Sequence, residues 1–131
     1  MKPKTQNSAV CPCQWQAQRL YADCCGRYTD SVEAAPSAEA LMRSRYSAFV
    51  REQADYLLRT WHPSTRPKHM DFEPTQWLGL QVEASDNSDD NHATVTFGAR
   101  YKVNGKAFKM HETSRFVREN GAWLYVDGDV D

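Results

Sequence analysis

Four cysteines stand in the first 25 residues of this 131-residue chain, and the remaining residues contain none. They read Cys11-Pro12-Cys13, ten intervening residues, then Cys24-Cys25-Gly26. Two close pairs of thiols joined by a short loop supply the ligand count and geometry of one tetrahedral zinc site. Such an ion folds a stretch too polar to fold alone. Two other chemistries are open to the same residues. Disulfides between the pairs suit an oxidising compartment, and free thiols suit a reactive site. The adjacent Cys24 and Cys25 are badly placed to bridge one another.

A second set, Arg45, Glu112, Ser114 and Asp127, has no motif spacing, and its interest lies in where the elements place it. Residues 1–10 lack periodicity and are predicted to be disordered. Residues 11–26 form the cysteine knuckle, with Trp15, Leu20 and Tyr21 available to pack it, and a polar linker runs from Arg27 to Ala35. Ser37 is placed as an N-cap, with Glu39 in the first turn of a helix that runs to about Glu52. Leu41, Met42, Tyr46, Phe49 and Val50 form its apolar stripe. A second helix spans Ala54 to Trp61 and stops at His62-Pro63, because a residue before proline avoids the helical region. An irregular connector follows, with a helical turn near Pro74 to Trp77.

From Leu78 the period becomes alternating, with Leu78, Leu80, Val82 and Ala84 on one face and a polar turn over Asp86 to Asn91. Asn104-Gly105 and Asn120-Gly121 are the strongest short-range hairpin signals, and they divide the remainder into strands at 92–103, 106–119 and 122–127. Two-residue loops fix the register. Tyr101 opposes Phe108, Phe97 opposes Glu112 and Val95 opposes Ser114 across the first hairpin; Phe116 opposes Tyr125 and Ser114 opposes Asp127 across the second. These partners share one mostly apolar face, interrupted by Glu112, Ser114 and Asp127. The expected fold is α+β: a curved antiparallel sheet of about four strands, cone-like around the helices, preceded by a small zinc knuckle. Arg45 lies beside the helix stripe and points at the carboxylates. Either a structural ion pair fixes helix-to-sheet registry, or the interior holds a ligand pocket with an acid, a base and a cation. A cavity above ~300 Å³ with convergent polar groups favours the pocket, and a filled interior removes it.

Composition narrows the classes. With 16 basic and 17 acidic residues, the chain has no broad field for nucleic acid or anionic lipid. No apolar run reaches membrane-spanning length, and the first residues lack the hydrophobic region of a signal peptide, so a cytoplasmic location is expected. His62, His69, His92 and His111 are scattered, and Arg43, Arg51, Arg59, Arg66 and Lys68 read as a solvated basic face. There is no phosphate loop and no Ser-His-Asp order.

Cys11-Pro12-Cys13 and Cys24-Cys25-Gly26 resemble the SEC-C motif, the zinc knuckle also found in the C-terminal tail of the bacterial preprotein translocase ATPase, although the loop here is longer than usual. Leu41-Met42-Arg43-Ser44-Arg45-Tyr46-Ser47-Ala48-Phe49, the run from Asp55 to Pro63, Trp77-Leu78-Gly79-Leu80, Ser114-Arg115-Phe116 and the run from Asn120 to Gly128 are similar to the bacterial YchJ family. The resemblance covers nearly the whole chain. It implies zinc at Cys11, Cys13, Cys24 and Cys25 within a knuckle over 11–26, and a nuclear-transport-factor-2-like α+β domain over 33–131. It carries no settled activity. The leading expectation is a binding module whose zinc knuckle meets a protein or ribonucleoprotein partner; the alternative is a small-molecule enzyme or ligand carrier using the cone interior. The enzyme reading rests on fold analogy alone.

Overall fold

The computed structural model describes residues 9–15 and 18–131. The disorder expected for residues 1–10 therefore falls mostly on residues 1–8, outside the described residues. Ala9 and Val10 are paired: the Tyr21 amide donates to the Ala9 carbonyl at 2.8 Å, and Val10 bridges Leu20 in antiparallel fashion.

The cysteine segment continues past its expected end. A one-turn 3-10 helix at Tyr21–Asp23 leads into α1 (Gly26–Thr29), where a polar linker was expected. The reason is packing, since Tyr28 and Thr29 are buried and the amides of both donate to the Cys25 carbonyl. Gly26 is required by close approach, because a Cβ there would lie 2.8 Å from the Tyr21 carbonyl oxygen. Of the three residues expected to pack the knuckle, Tyr21 is buried, whereas Trp15 and Leu20 are exposed.

Helix α2 (Ala38–Val50) begins at Ser37, whose hydroxyl accepts the Ala40 amide at 3.0 Å. It is buried on more than its apolar stripe: Ser44 and Ser47 are fully enclosed. Helix α3 (Ala54–Arg59) ends two residues earlier than expected. Trp61 instead forms a bridge with Tyr125, with the Tyr125 amide donating to the Thr60 carbonyl at 2.8 Å and the His62 amide to the Tyr125 carbonyl at 2.7 Å.

The sheet has the order β1-β2-β3-β4, formed by β1 (Gln76–Asp89), β2 (His92–Val103), β3 (Lys106–Glu119) and β4 (Ala122–Val130). No helical turn forms at Pro74 to Trp77; β1 starts at Gln76, and Trp77 packs against Tyr46, Phe49 and Tyr101. The polar stretch from Asp86 to Asp89 stays in the strand, paired with β2, so only Asp90-Asn91 turns the chain. The Asp89 carboxylate accepts the Asn91 amide at 2.8 Å and holds that turn. Both Asn-Gly loops have positive φ at both residues, 53° and 78° at Asn104-Gly105 and 54° and 80° at Asn120-Gly121, the backbone a two-residue hairpin demands. The β2–β3 register is the expected one throughout.

The β3–β4 register is not. It holds from Glu119↔Ala122 to Phe116↔Tyr125, then shifts at a bulge, so that Arg115 opposes Asp127 and Ser114 opposes Gly128. Val126 is the extra residue. Its carbonyl accepts the Thr65 hydroxyl at 2.6 Å, as part of the connector that covers the β4 edge. Because side chains alternate, a one-residue shift exchanges the faces of everything beyond it.

Candidate functional site

The four cysteines are all buried, and their sulfurs lie within 4.8 Å of one another. Cys11 Sγ is 3.7 Å from Cys13 Sγ, and Cys13 Sγ is 3.6 Å from Cys24 Sγ. A tetrahedron of sulfurs about 2.3 Å from a central zinc has edges of about 3.8 Å. Every cysteine is unbridged, and these separations far exceed the ~2.05 Å of a disulfide. The donor set is all sulfur and enclosed by protein, which fits a closed, structural ion.

The surroundings suit that charge. Ser47 Oγ on α2 sits 3.5 Å from Cys11 Sγ. Arg43 donates to the Cys13 carbonyl at 3.1 Å, and Arg27 to the Cys24 carbonyl at 3.1 Å. Two guanidinium groups thus stand over the backbone of the cysteine segment, where they would offset the double negative charge of a tetrathiolate holding a divalent metal. The thiols also split one another's proton affinity. Bonding to Cys13 pulls Cys11 down, bonding to Cys25 lowers Cys24 to about 7, and contact with Cys11 pushes Cys25 up. Four such protons leave together only if a cation takes their place.

On the other side of α2 is an interior cavity of about 240 Å³, between the helix and the sheet. It is smaller than the ~300 Å³ of a typical ligand pocket, but it is not filled. Phe49, Trp77, Phe97 and Met110 line much of it, and Arg45, Glu112, Ser114 and Tyr125 supply the polar groups. Arg45 is 6% exposed. Its Nη1 donates to the Leu57 carbonyl and to Thr60 Oγ1, both at 2.8 Å, and the guanidinium lies 5.0 Å from the Trp61 ring centre and 4.6 Å from that of Tyr125. Burial lowers its pKa to about 10, which still leaves it charged at neutral pH. The Ser114 hydroxyl donates to Glu112 Oε2 at 2.7 Å, and the Tyr125 hydroxyl to the same oxygen at 3.5 Å. Burial, then the Glu112 charge, raises the Tyr125 pKa to about 12.

Three of the four interior residues expected from sequence, Arg45, Glu112 and Ser114, thus meet at one cavity, but Arg45 makes no ion pair with Glu112 among the described residues. Asp127 is a correction. The Val126 bulge turns it to the outer face, where Arg115 Nε donates to its carboxylate at 2.6 Å while the same guanidinium pairs with Asp129 at 2.8 Å. Gly128 takes the inward place, and a Cβ on it would lie 2.8 Å from Glu112 Cδ. Sequence reasoning missed the roles of Thr60, Trp61 and Gly128, which depend on the bulge and on the connector contacts along β4 and carry no local signal. The dispersed arginines are also reassigned: Arg59 donates to the Tyr28 and Ser31 carbonyls, each at 2.9 Å, and Arg51 stacks on Tyr21. Among the described residues, no helix is long and apolar enough to cross a membrane.

Residues 37–128 match the family described as YchJ, middle NTF2-like domain. A UPF0225 protein of Bordetella parapertussis is 52% identical, with 99% of each chain covered, and one of a Polaromonas species is 54% identical over 93% of this chain and 94% of its own. Two solved SEC-C motif containing proteins share the fold. The one from Rhodopseudomonas palustris has a TM-score of 0.80 at 33% identity, covering 91% of this chain and 96% of its own. The one from Psychrobacter arcticus has a TM-score of 0.81 at 31% identity, covering 94% and 83%. The chain belongs to the YchJ (UPF0225) family, with the SEC-C-type cysteine cluster at its N-terminus.

Proposed function

We propose that this YchJ-family protein is a zinc-stapled binding protein whose interior cavity takes a small organic ligand. Zinc is assigned to Cys11, Cys13, Cys24 and Cys25 because the sulfur separations match a tetrathiolate cage and no ligand position is left open for catalysis. The ion's part is to hold the N-terminal segment against α2. Ligand binding rests on one observation: the buried Arg45 uses only Nη1 in bonds to described residues, while its guanidinium borders an open, aromatic-lined space. A charge kept out of water with donors to spare is a recognition element more than a registry device. Ligand-observed NMR against a library of small aromatic fragments tests this. Fragments that bind the wild type should be lost in Met110→Trp, which fills the cavity from its partly exposed side. A library without hits, or hits indifferent to that substitution, would overturn the reading.

A second reading concerns the cysteine segment. Val10, Trp15 and Leu20 are exposed on it, and these apolar side chains suit a protein partner. The ribonucleoprotein version has less support, because Arg27, Arg43 and Arg59 spend their donors on carbonyls of the chain itself. Leu20→Asp should abolish capture of any specific partner without releasing the metal, and unchanged capture would remove this surface from consideration.

A further inference from the structure

We infer that the cavity selects an uncharged, flat heteroaromatic molecule that carries a hydrogen-bond acceptor and a donor side by side, the arrangement of a lactam edge. The inference rests on the cavity being a ligand site and specifies what it takes. Its basis is a pair of opposite poles that are not joined to each other. Arg45 Nε and Nη2 make no hydrogen bond among the described residues, and Arg45 lines the cavity. Glu112, which also lines the cavity, has Oε2 engaged by Ser114 and Tyr125, while Oε1 has no partner among the described residues. Both poles are fixed. Arg45 is clamped by its Nη1 bonds and by the Trp61 and Tyr125 rings, and Glu112 by the Ser114 hydroxyl.

Each simpler class of ligand fails at one pole. An anion satisfies Arg45 but is repelled by the Glu112 carboxylate. A cation satisfies Glu112 but faces the guanidinium. A hydrocarbon leaves both charges without partners in a confined, apolar space, and uncompensated desolvation opposes binding. A neutral edge with C=O beside N–H meets both, accepting from Arg45 and donating to Glu112. The rest of the wall dictates the body. Phe49, Trp77 and Phe97 offer ring faces and edges, which favour a planar π-system. A volume of about 240 Å³ equals about eight waters at ~30 Å³ each, room for one or two fused rings.

The test uses three bicyclic probes of nearly equal size with the metal-loaded, full-length protein: quinolin-2(1H)-one, which has the lactam edge; quinoline, which lacks the donor; and 2-naphthoate, an anion. Affinities are read by ligand-observed NMR titration for the wild type and for Glu112→Gln. In the wild type the quinolinone should bind about tenfold or more tighter than either other probe, as expected for a hydrogen bond to a charged group. In Glu112→Gln the carboxylate repulsion is gone, so 2-naphthoate should gain about tenfold. A wild type that prefers 2-naphthoate or quinoline overturns the ligand class and leaves the cavity reading standing. Failure of all three to bind at millimolar concentration overturns both.

Discussion

Arg45→Ala asks how much of the fold hangs on one buried cation. The substitution removes two hydrogen bonds from a charged donor, to Leu57 O and Thr60 Oγ1, at about 1.5–3 kcal/mol each. It also removes cation–π contacts with Trp61 and Tyr125, at about 0.5–2 kcal/mol each. The gross loss is therefore about 4–10 kcal/mol. Relief of burial opposes it. Desolvation takes the guanidinium pKa from 12.5 to about 10, which is about 3 kcal/mol at 1.36 kcal/mol per tenfold change in acidity. The net cost centres on about 4 kcal/mol, in line with removal of one member of other buried charge networks. With an m-value of about 2 kcal/mol/M, the urea midpoint should fall by about 2 M. Arg45→Lys keeps the charge but not the planar fork, and should lose roughly half as much. A fall below about 1 kcal/mol for Arg45→Ala at unchanged m would refute the reasoning: the two hydrogen bonds and two ring contacts would then do no more than balance desolvation.

Protein expressed with zinc should carry about one equivalent per chain, and Cys24→Ser should release it; negligible zinc with four freely titrating thiols would sink the assignment. Because Cys11 and Cys13 touch Ser47 and Arg43 of α2, release should also lower hydrogen-exchange protection across 38–50, and a loss confined to 11–26 would show the segment to be independent. Gly128→Ala should displace Glu112 and cost about 1–3 kcal/mol through its lost bonds, with almost no cost in a Glu112→Ala background; an equal cost in both backgrounds would place the clash elsewhere. His111 is bonded to Glu83 at 3.0 Å and Asp131 at 2.7 Å, which raise its pKa above 6.5. Its stabilising contribution is therefore complete below about pH 6.5 and lost as pH rises through the raised value, and His111→Gln should flatten that part of the stability profile.

The sequence made the sheet legible because hairpin chemistry is local. Asn-Gly permits the left-handed φ of a two-residue loop, and everything paired beyond it follows from alternation until an extra residue intervenes. The Val126 bulge broke that chain of reasoning at one point and sent Asp127 outward. Nothing in the string Tyr125-Val126-Asp127-Gly128 announces the bulge. Its cause is tertiary: the connector at 60–65, distant in sequence, takes up the Tyr125 amide and carbonyl and the Val126 carbonyl along the β4 edge. The polar run from Asp86 to Asp89 misled in the opposite sense, because composition signalled a turn where ladder pairing to β2 prevails.

The grouping of the four cysteines was legible but not their place in the core, and α2 shows why. Arg43 and Ser47 lie four residues apart and meet the cysteine segment; Arg45 and Phe49 lie four apart, two residues out of phase, and meet the cavity. Two residues at 3.6 per turn is a rotation of roughly 200°, so one helix presents nearly opposite faces to the two sites. A helix enclosed on both faces should look apolar all round, yet this one carries Arg43, Ser44 and Ser47 on its second buried face because that face meets carbonyls, a tyrosine hydroxyl and sulfur. Of these, Arg43 reads as part of a solvated basic face from sequence alone. Ser44 bonds Tyr56 at 2.7 Å and so ties α3 to the same helix, while Arg45 reaches past it to the α3 carbonyl of Leu57. The wall of the cavity is therefore held from behind by the cysteine segment and from the side by α3. An ion held by the four sulfurs would fix the backing of that wall, and through one helix it would set the position of the Arg45 guanidinium at the cavity.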